Sequence, residues 1–225
     1  MPPDGGDAAR SLRRERVALQ GWLLGLTLAL FLVQGISRPG RVQLVLVTAL
    51  AGLTLVLAFR AARARPRLIM AVTALAVATV ATALLIGDDG AMRLMNAAVT
   101  ALGPPAVAIS VVRAVRLDGR IRVSAVSGVL ALYLLIGMCF SFVYGTLDRL
   151  GDTPFFANGA TATLSHCLYF SFITMTTVGY GDFTAATDTG HTLSALEALI
   201  GQIYLVTIVA LIVGNLGRPT NYARQ

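Results

Sequence analysis

Six apolar runs, each near the length that crosses a bilayer, decide what this chain can fold into. They lie at about 17–36, 42–59, 68–86, 92–112, 123–147 and 190–215 of 225 residues. A helix needs about 20 such residues to span the hydrocarbon core. In lipid every backbone N–H and C=O has to be paired inside the protein, so each run is expected to be a helix. One stretch breaks this pattern. Between the last two runs a shorter segment, 161–175, is followed by TTVGYGD at 176–182, which cannot continue a helix. Irregular backbone survives at membrane depth only where protein or a water-filled cavity satisfies it. The expected fold is therefore an all-α membrane protein with six transmembrane helices, a re-entrant helix over 161–175, and a loop packed inside protein beside an aqueous path.

Composition agrees, with 56% hydrophobic and 13% charged residues. The formal charge of +7 raises nucleic acid as a partner, but the 18 basic residues, all arginine, sit in short segments between apolar runs. That placement is topogenic, and no nucleic-acid partner is expected. The Ala/Arg bias points to a GC-rich bacterial genome. Arginines 10, 13, 14, 16, 60, 63, 65, 67, 113, 116, 120, 122, 218 and 224 fall on one side, and only 38, 41, 93 and 149 on the other. The positive-inside rule then puts both termini in the cytoplasm of a multi-pass cell-membrane protein and opens TTVGYGD to the outside. The first run is long for a signal peptide and no small-x-small cleavage site follows it, so it reads as a retained span. Cys139 and Cys167 lie in apolar segments and read as small packing residues.

The expected organisation is a polar, unstructured cytoplasmic tail (1–16), a four-helix transmembrane domain (17–112) and a short cytoplasmic linker (113–122). A pore-like domain (123–217) and a cytoplasmic tail (218–225) complete it. Glycine tolerates positive φ, so Gly179 and Gly181 allow successive carbonyls to point to one side of the loop. Repeated around an axis, such carbonyls make rings of oxygens that replace the water shell of an ion, and the Thr177 hydroxyl extends the series inward. The plainer alternative is a re-entrant loop merely bent by its glycines.

The stretch MTTVGYGDF at 175–183 resembles the selectivity filter of the tetrameric potassium channel family, and matches it throughout TVGYG. The resemblance implies K⁺ sites at Thr177, Val178, Gly179 and Tyr180, completed by Gly181 and supported by Thr176 and Asp182. It also implies a homotetramer in the lipid bilayer, since one copy cannot close a ring, and no cofactor beyond permeating K⁺. TATLSHCLYFSFITMT at 161–176 then corresponds to the pore helix, whose carbonyl end favours a cation. Tyr169, Phe170 and Phe172 are suited to wedging the filter. Tyr169 falls where relatives place a tryptophan that bonds the filter aspartate, so its hydroxyl is expected to reach Asp182. Ile173 stands where some bacterial relatives have a glutamate.

In the last span, Glu197 is the one acid inside any run, and an intramembrane acid is a functional candidate by default. A bond to the pore helix behind the filter is favoured over a direct ion site. Gly201 matches the family's hinge position, with close helix packing as the equal alternative. Leu205, Val209 and Val213 form one stripe and are the candidates for cavity and gate lining. His191 reads as an interfacial residue with pH sensing as the minor alternative, and His166 as a capping or packing residue. Voltage sensing is not expected. Residues 94–112 carry no arginine, Arg113 and Arg116 fall at the cytoplasmic end, and Pro104–Pro105 interrupt the span. The linker, with its Asp118–Gly119 turn, is too short for a long connecting helix, so each four-helix domain is expected beside its own subunit's pore. The functional expectation is a passive K⁺-selective channel and no enzyme. A less selective cation channel and a non-conducting sensor or assembly subunit are the alternatives.

Overall fold

The computed structural model describes residues 5–38, 40–85, 95, 98–99, 101–109 and 123–216. Its helices, in chain order, are α1 (Gly5–Ile36), α2 (Arg41–Ala61), α3 (Pro66–Leu85), α4 (Val123–Leu150), α5 (Leu164–Met175) and α6 (Asp188–Leu216). All but α5 are long and apolar enough to cross a membrane. The architecture is all-α, with one isolated bridge, Phe156 to Ala185, as the sole β pairing among the described residues.

The polar tail expected over 1–16 is helical from Gly5, which corrects that reading. Its alanines, arginines and leucine are good helix formers, and they extend a helix already nucleated by the span behind them. The fourth run is described only in part. A turn at Leu102 precedes a helical stretch over 103–109. Pro104 and Pro105 thus occupy the first turn of a new helical segment, where a missing N–H costs nothing. Arg113, Arg116, Asp118 and Gly119 lie outside the described residues.

Polar side chains are carried across the apolar helices by local back-bonding. Thr27 donates to Leu23 O at 2.7 Å, Thr48 to Leu44 O at 2.7 Å and Thr54 to Leu50 O at 2.7 Å. Each hydroxyl borrows a helix carbonyl one turn back and so enters lipid or the core already satisfied.

The first helix packs on α2, on α4 and on α5, while α6 packs on α4 and α5. One apolar cluster joins Leu30 of α1, Val47 of α2, Val107 of the stretch over 103–109, Leu135 and Met138 of α4, and Leu168 of α5. Gln34 Nε2 donates to Ser141 Oγ of α4 at 2.8 Å, and the Phe31 and Phe172 rings meet edge-on at 4.9 Å. Within the chain, α1 is therefore seated on α4 and on the re-entrant helix.

Candidate functional site

The site is built where α5 ends. Thr163 caps the start of α5 by accepting from His166 N at 3.1 Å, and His166 Nδ1 lies 2.7 Å from Thr161 O. The His166 ring also rests 5.0 Å from Phe183, so this histidine packs, while the cap of the helix is Thr163. Behind α5, Phe170 sits in an aromatic cluster with Tyr144, Phe155 and Phe156. Phe172 turns the other way, toward α1 and Gly137. Cys167 is buried and Cys139 half-buried, and neither is in a disulfide among the described residues.

At the C-terminus of α5 the chain folds back on its own last carbonyls. Thr177 N donates to Thr174 O at 2.9 Å, and Val178 N and Gly179 N both donate to Ile173 O at 2.9 and 3.0 Å. Thr176 Oγ1 donates to Phe172 O at 2.6 Å. These bonds satisfy the helix end and consume the amides of the following loop on that side.

The loop itself alternates in handedness. φ is +57° at Thr177, +49° at Gly179 and +81° at Gly181, while Val178 and Tyr180 stay at negative φ. A strand of uniform handedness sends successive carbonyls to opposite sides. Alternating left- and right-handed residues instead sends them to the same side, and glycine makes two of the three left-handed positions inexpensive. Thr177 is the third, a threonine held where L-residues rarely sit. Among the described residues nothing donates to the carbonyls of 177–181. The amides of Thr177, Val178 and Gly179 are tied down on one side and a run of unpaired oxygens is left over.

The outer end is fastened by side chains. Tyr169 Oη donates to Asp182 Oδ2 at 2.8 Å, the pairing expected from the sequence. That bond raises the Tyr169 phenol above its ordinary value, because ionising the phenol would set two negative oxygens against each other. Asn158 Nδ2 donates to Asp182 O at 2.9 Å, and Ala157 N to Thr184 O at 2.9 Å, which ties the preceding loop to the exit of 177–181.

The inner end meets α6. Gly201 lies so close to Met175 that a Cβ there would stand 2.3 Å from the Met175 carbonyl oxygen. Close packing is thus an established role of Gly201, and α6 runs through it as one helix. Gln202 Nε2 donates to Thr177 Oγ1 at 3.2 Å. Glu197 is fully buried one turn earlier, accepting from Tyr144 Oη at 2.6 Å and in contact with Ser171 Oγ. Through Ser171 it touches the re-entrant helix, and no bond joins it to the 177–181 loop among the described residues. Leu205 is exposed on α6, and the side chains of Val209 and Val213 lie outside the described residues. His191 lies in the first turn of α6 and is exposed.

Sequence reasoning missed Gln202, Ser171, Tyr144 and Asn158. Gln202 carried a usable signal, an amide inside an apolar span next to Gly201. The others did not, since Ser171 and Tyr144 meet Glu197 from 26 and 53 residues away.

Residues 128–217 match the family model for ion channels. The chain is 35% identical over 89 residues to delayed-rectifier potassium channel regulatory subunits of Pan troglodytes and Gorilla gorilla gorilla, covering 39% of this chain and 16% of each relative. It is 26% identical over 95 residues to the calcium-activated potassium channel slowpoke of Drosophila melanogaster, covering 42% of this chain and 8% of that one. The chain thus spans a sixth or less of the length of these relatives, and no solved structure matches it.

Proposed function

We propose that this chain is the subunit of a potassium-selective channel that conducts K⁺ passively through a pore assembled from four copies. The observation that carries this reading is the alternation of φ over 177–181 with its carbonyls left unpaired. Four such loops around an axis offer stacked rings of oxygens in place of the hydration shell of K⁺. The sites are the carbonyls of Thr177, Val178, Gly179 and Tyr180 with the Thr177 hydroxyl, and Gly181 closes the outer end. Gln202 orients that hydroxyl from below, and Tyr169 with Asp182 braces the mouth.

Two features support assembly of copies. Val178 and Tyr180 are 51% and 73% exposed in the single chain, and Leu199, Ile203 and Val206 of α6 form a further exposed apolar face. A fourfold ring buries these around the axis. Both termini are cytoplasmic on the arginine distribution, and the conduction has no steep voltage dependence because the fourth span carries no charge in the field. No substrate chemistry and no resident cofactor are required.

A second reading comes from the printed description of the primate relatives as regulatory subunits. On that reading the chain conducts only with another pore-forming partner. Purified protein, alone in liposomes with an outward K⁺ gradient, separates the two. The channel reading expects K⁺ efflux that Na⁺ cannot replace, from a particle with the mass of four chains. A monomeric particle, or tetramers that pass no ion alone, would overturn it.

A further inference from the structure

The contacts of Glu197 contain one more proton than two hydroxyls can supply. Ser171 Oγ lies 2.7 Å from Gly137 O and is simultaneously in hydrogen-bond contact with Glu197 Oε1. Tyr144 Oη lies 2.6 Å from Glu197 Oε2. These are three oxygen–oxygen contacts, and each needs one hydrogen. The Gly137 carbonyl can only accept, Tyr144 and Ser171 bring one proton each, and an ionised carboxylate brings none. With a carboxylate, either Ser171 and Gly137 or Ser171 and Glu197 would face each other with lone pairs alone. With a carboxylic acid the chain closes: Glu197 donates to Ser171, Ser171 donates to Gly137 O, and Tyr144 donates to Glu197 Oε2.

The surroundings favour the same state. Glu197 is fully buried within a span. The groups acting on it are Ser171 of α5 and Tyr144 of α4, neither of them basic. Among the described residues the titratable side chains further off are Tyr133 and Cys139 on α4 and Cys167 on α5, none a cation. Ser194 of α6 completes the circle by approaching Tyr144. A bare carboxylate with no cation in such a place is among the costliest groups a protein can bury.

We propose that Glu197 is a proton-binding site, holding a proton at neutral pH that it donates to Ser171, and that this proton latches α6 to α5 and α4 directly behind the 177–181 loop. The latch sits one helical turn from Gly201, whose contact with Met175 sets the end of α5. Removing the proton leaves Ser171 unable to serve both partners, so the three helices loosen together and the support of the loop is lost. The ligand is the proton itself, and the response runs toward alkaline pH.

The chain has only two glutamates, Glu15 and Glu197, which makes the test clean. Full-length protein carrying isotope-labelled glutamate is examined by infrared spectroscopy in lipid. The expected result is a label-shifted carbonyl band of a protonated carboxyl at neutral pH, absent from Glu197→Gln and lost as the pH is raised. Glutamine keeps a donor for Ser171 and an acceptor for Tyr144. Glu197→Gln should therefore hold the wild-type melting temperature at neutral pH and stay flat where the wild type falls, while Glu197→Ala loses melting temperature at every pH. The proposal is overturned by absence of that band in the wild type, by Glu197→Gln melting as low as Glu197→Ala, or by an identical alkaline fall in wild type and Glu197→Gln. None of these readouts involves ion flux, so the latch and the K⁺ reading fail separately.

Discussion

Replacing Gly201 by alanine sets two effects of opposite sign against each other. Alanine in a helix interior is worth about 1 kcal/mol over glycine. Against this, the new Cβ would lie 2.3 Å from the Met175 carbonyl oxygen, 2.6 Å from its Cγ and 3.1 Å from its carbonyl carbon. The oxygen has to retreat by about 1 Å to reach ordinary contact, and overpacking of this kind costs about 1–3 kcal/mol. The closest atom is backbone and cannot swing away, so the upper half of that range applies and the net loss is about 1–2 kcal/mol per chain. At about 2–4 °C per kcal/mol for a chain of this size, the melting temperature drops by several degrees. The displaced residue lies two positions before Thr177, so K⁺ over Na⁺ discrimination in liposome flux should fall as well. Adding Met175→Ala should not rescue it, because the offending oxygen remains. A Gly201→Ala protein with wild-type or higher melting temperature and unchanged selectivity would refute the packing argument and leave Gly201 as a hinge alone.

Gly137→Ala offers the contrasting case, because its Cβ would meet the Phe172 ring at 2.7 Å and the Met175 Cε at 2.9 Å, both ends of side chains. It should lower the melting temperature, and Phe172→Leu in the same chain should restore most of the loss. Tyr169→Phe removes the bond to Asp182 and should speed collapse of conduction during sustained K⁺ currents. The Tyr169 phenol is raised in the folded state, so its contribution is present below the unfolded value of about 10 and disappears as pH rises through the folded value. The difference between wild type and Tyr169→Phe should accordingly vanish at strongly alkaline pH. Gln34→Leu deletes a bond to Ser141 but also a fully buried Oε1 that has no partner, and Ser141 still donates to Met138 O at 2.7 Å. Thermal denaturation should show it neutral or up to about 1 kcal/mol more stable.

What the sequence disclosed follows from how local each feature is. Apolar run length gives the spanning helices directly, because lipid leaves the backbone no other way to pair. The alternation at 177, 179 and 181 was legible at its two glycines but not at Thr177, whose positive φ is imposed by the bonds of Thr177, Val178 and Gly179 to the end of α5. Tyr169 and Asp182 were legible as a pair only through the family resemblance, in which the position of Tyr169 holds a tryptophan that bonds the filter aspartate. The partners of Glu197 were not, since nothing in the spacing of α4, α5 and α6 says which faces meet. Gly201 stood equally between bending and packing until the Met175 carbonyl was seen against it. The helical tail from Gly5 escaped notice because polarity was read as disorder where helix propensity was also high.

The central claim is that backbone oxygens of residues 177–181 select the ion. Its most direct measurement is the reversal potential of the purified chain in a planar bilayer, with K⁺ on one side and Na⁺ at equal concentration on the other. The account predicts a potential far from zero, of the sign that K⁺ permeation sets. A reversal at zero with measurable current would contradict it.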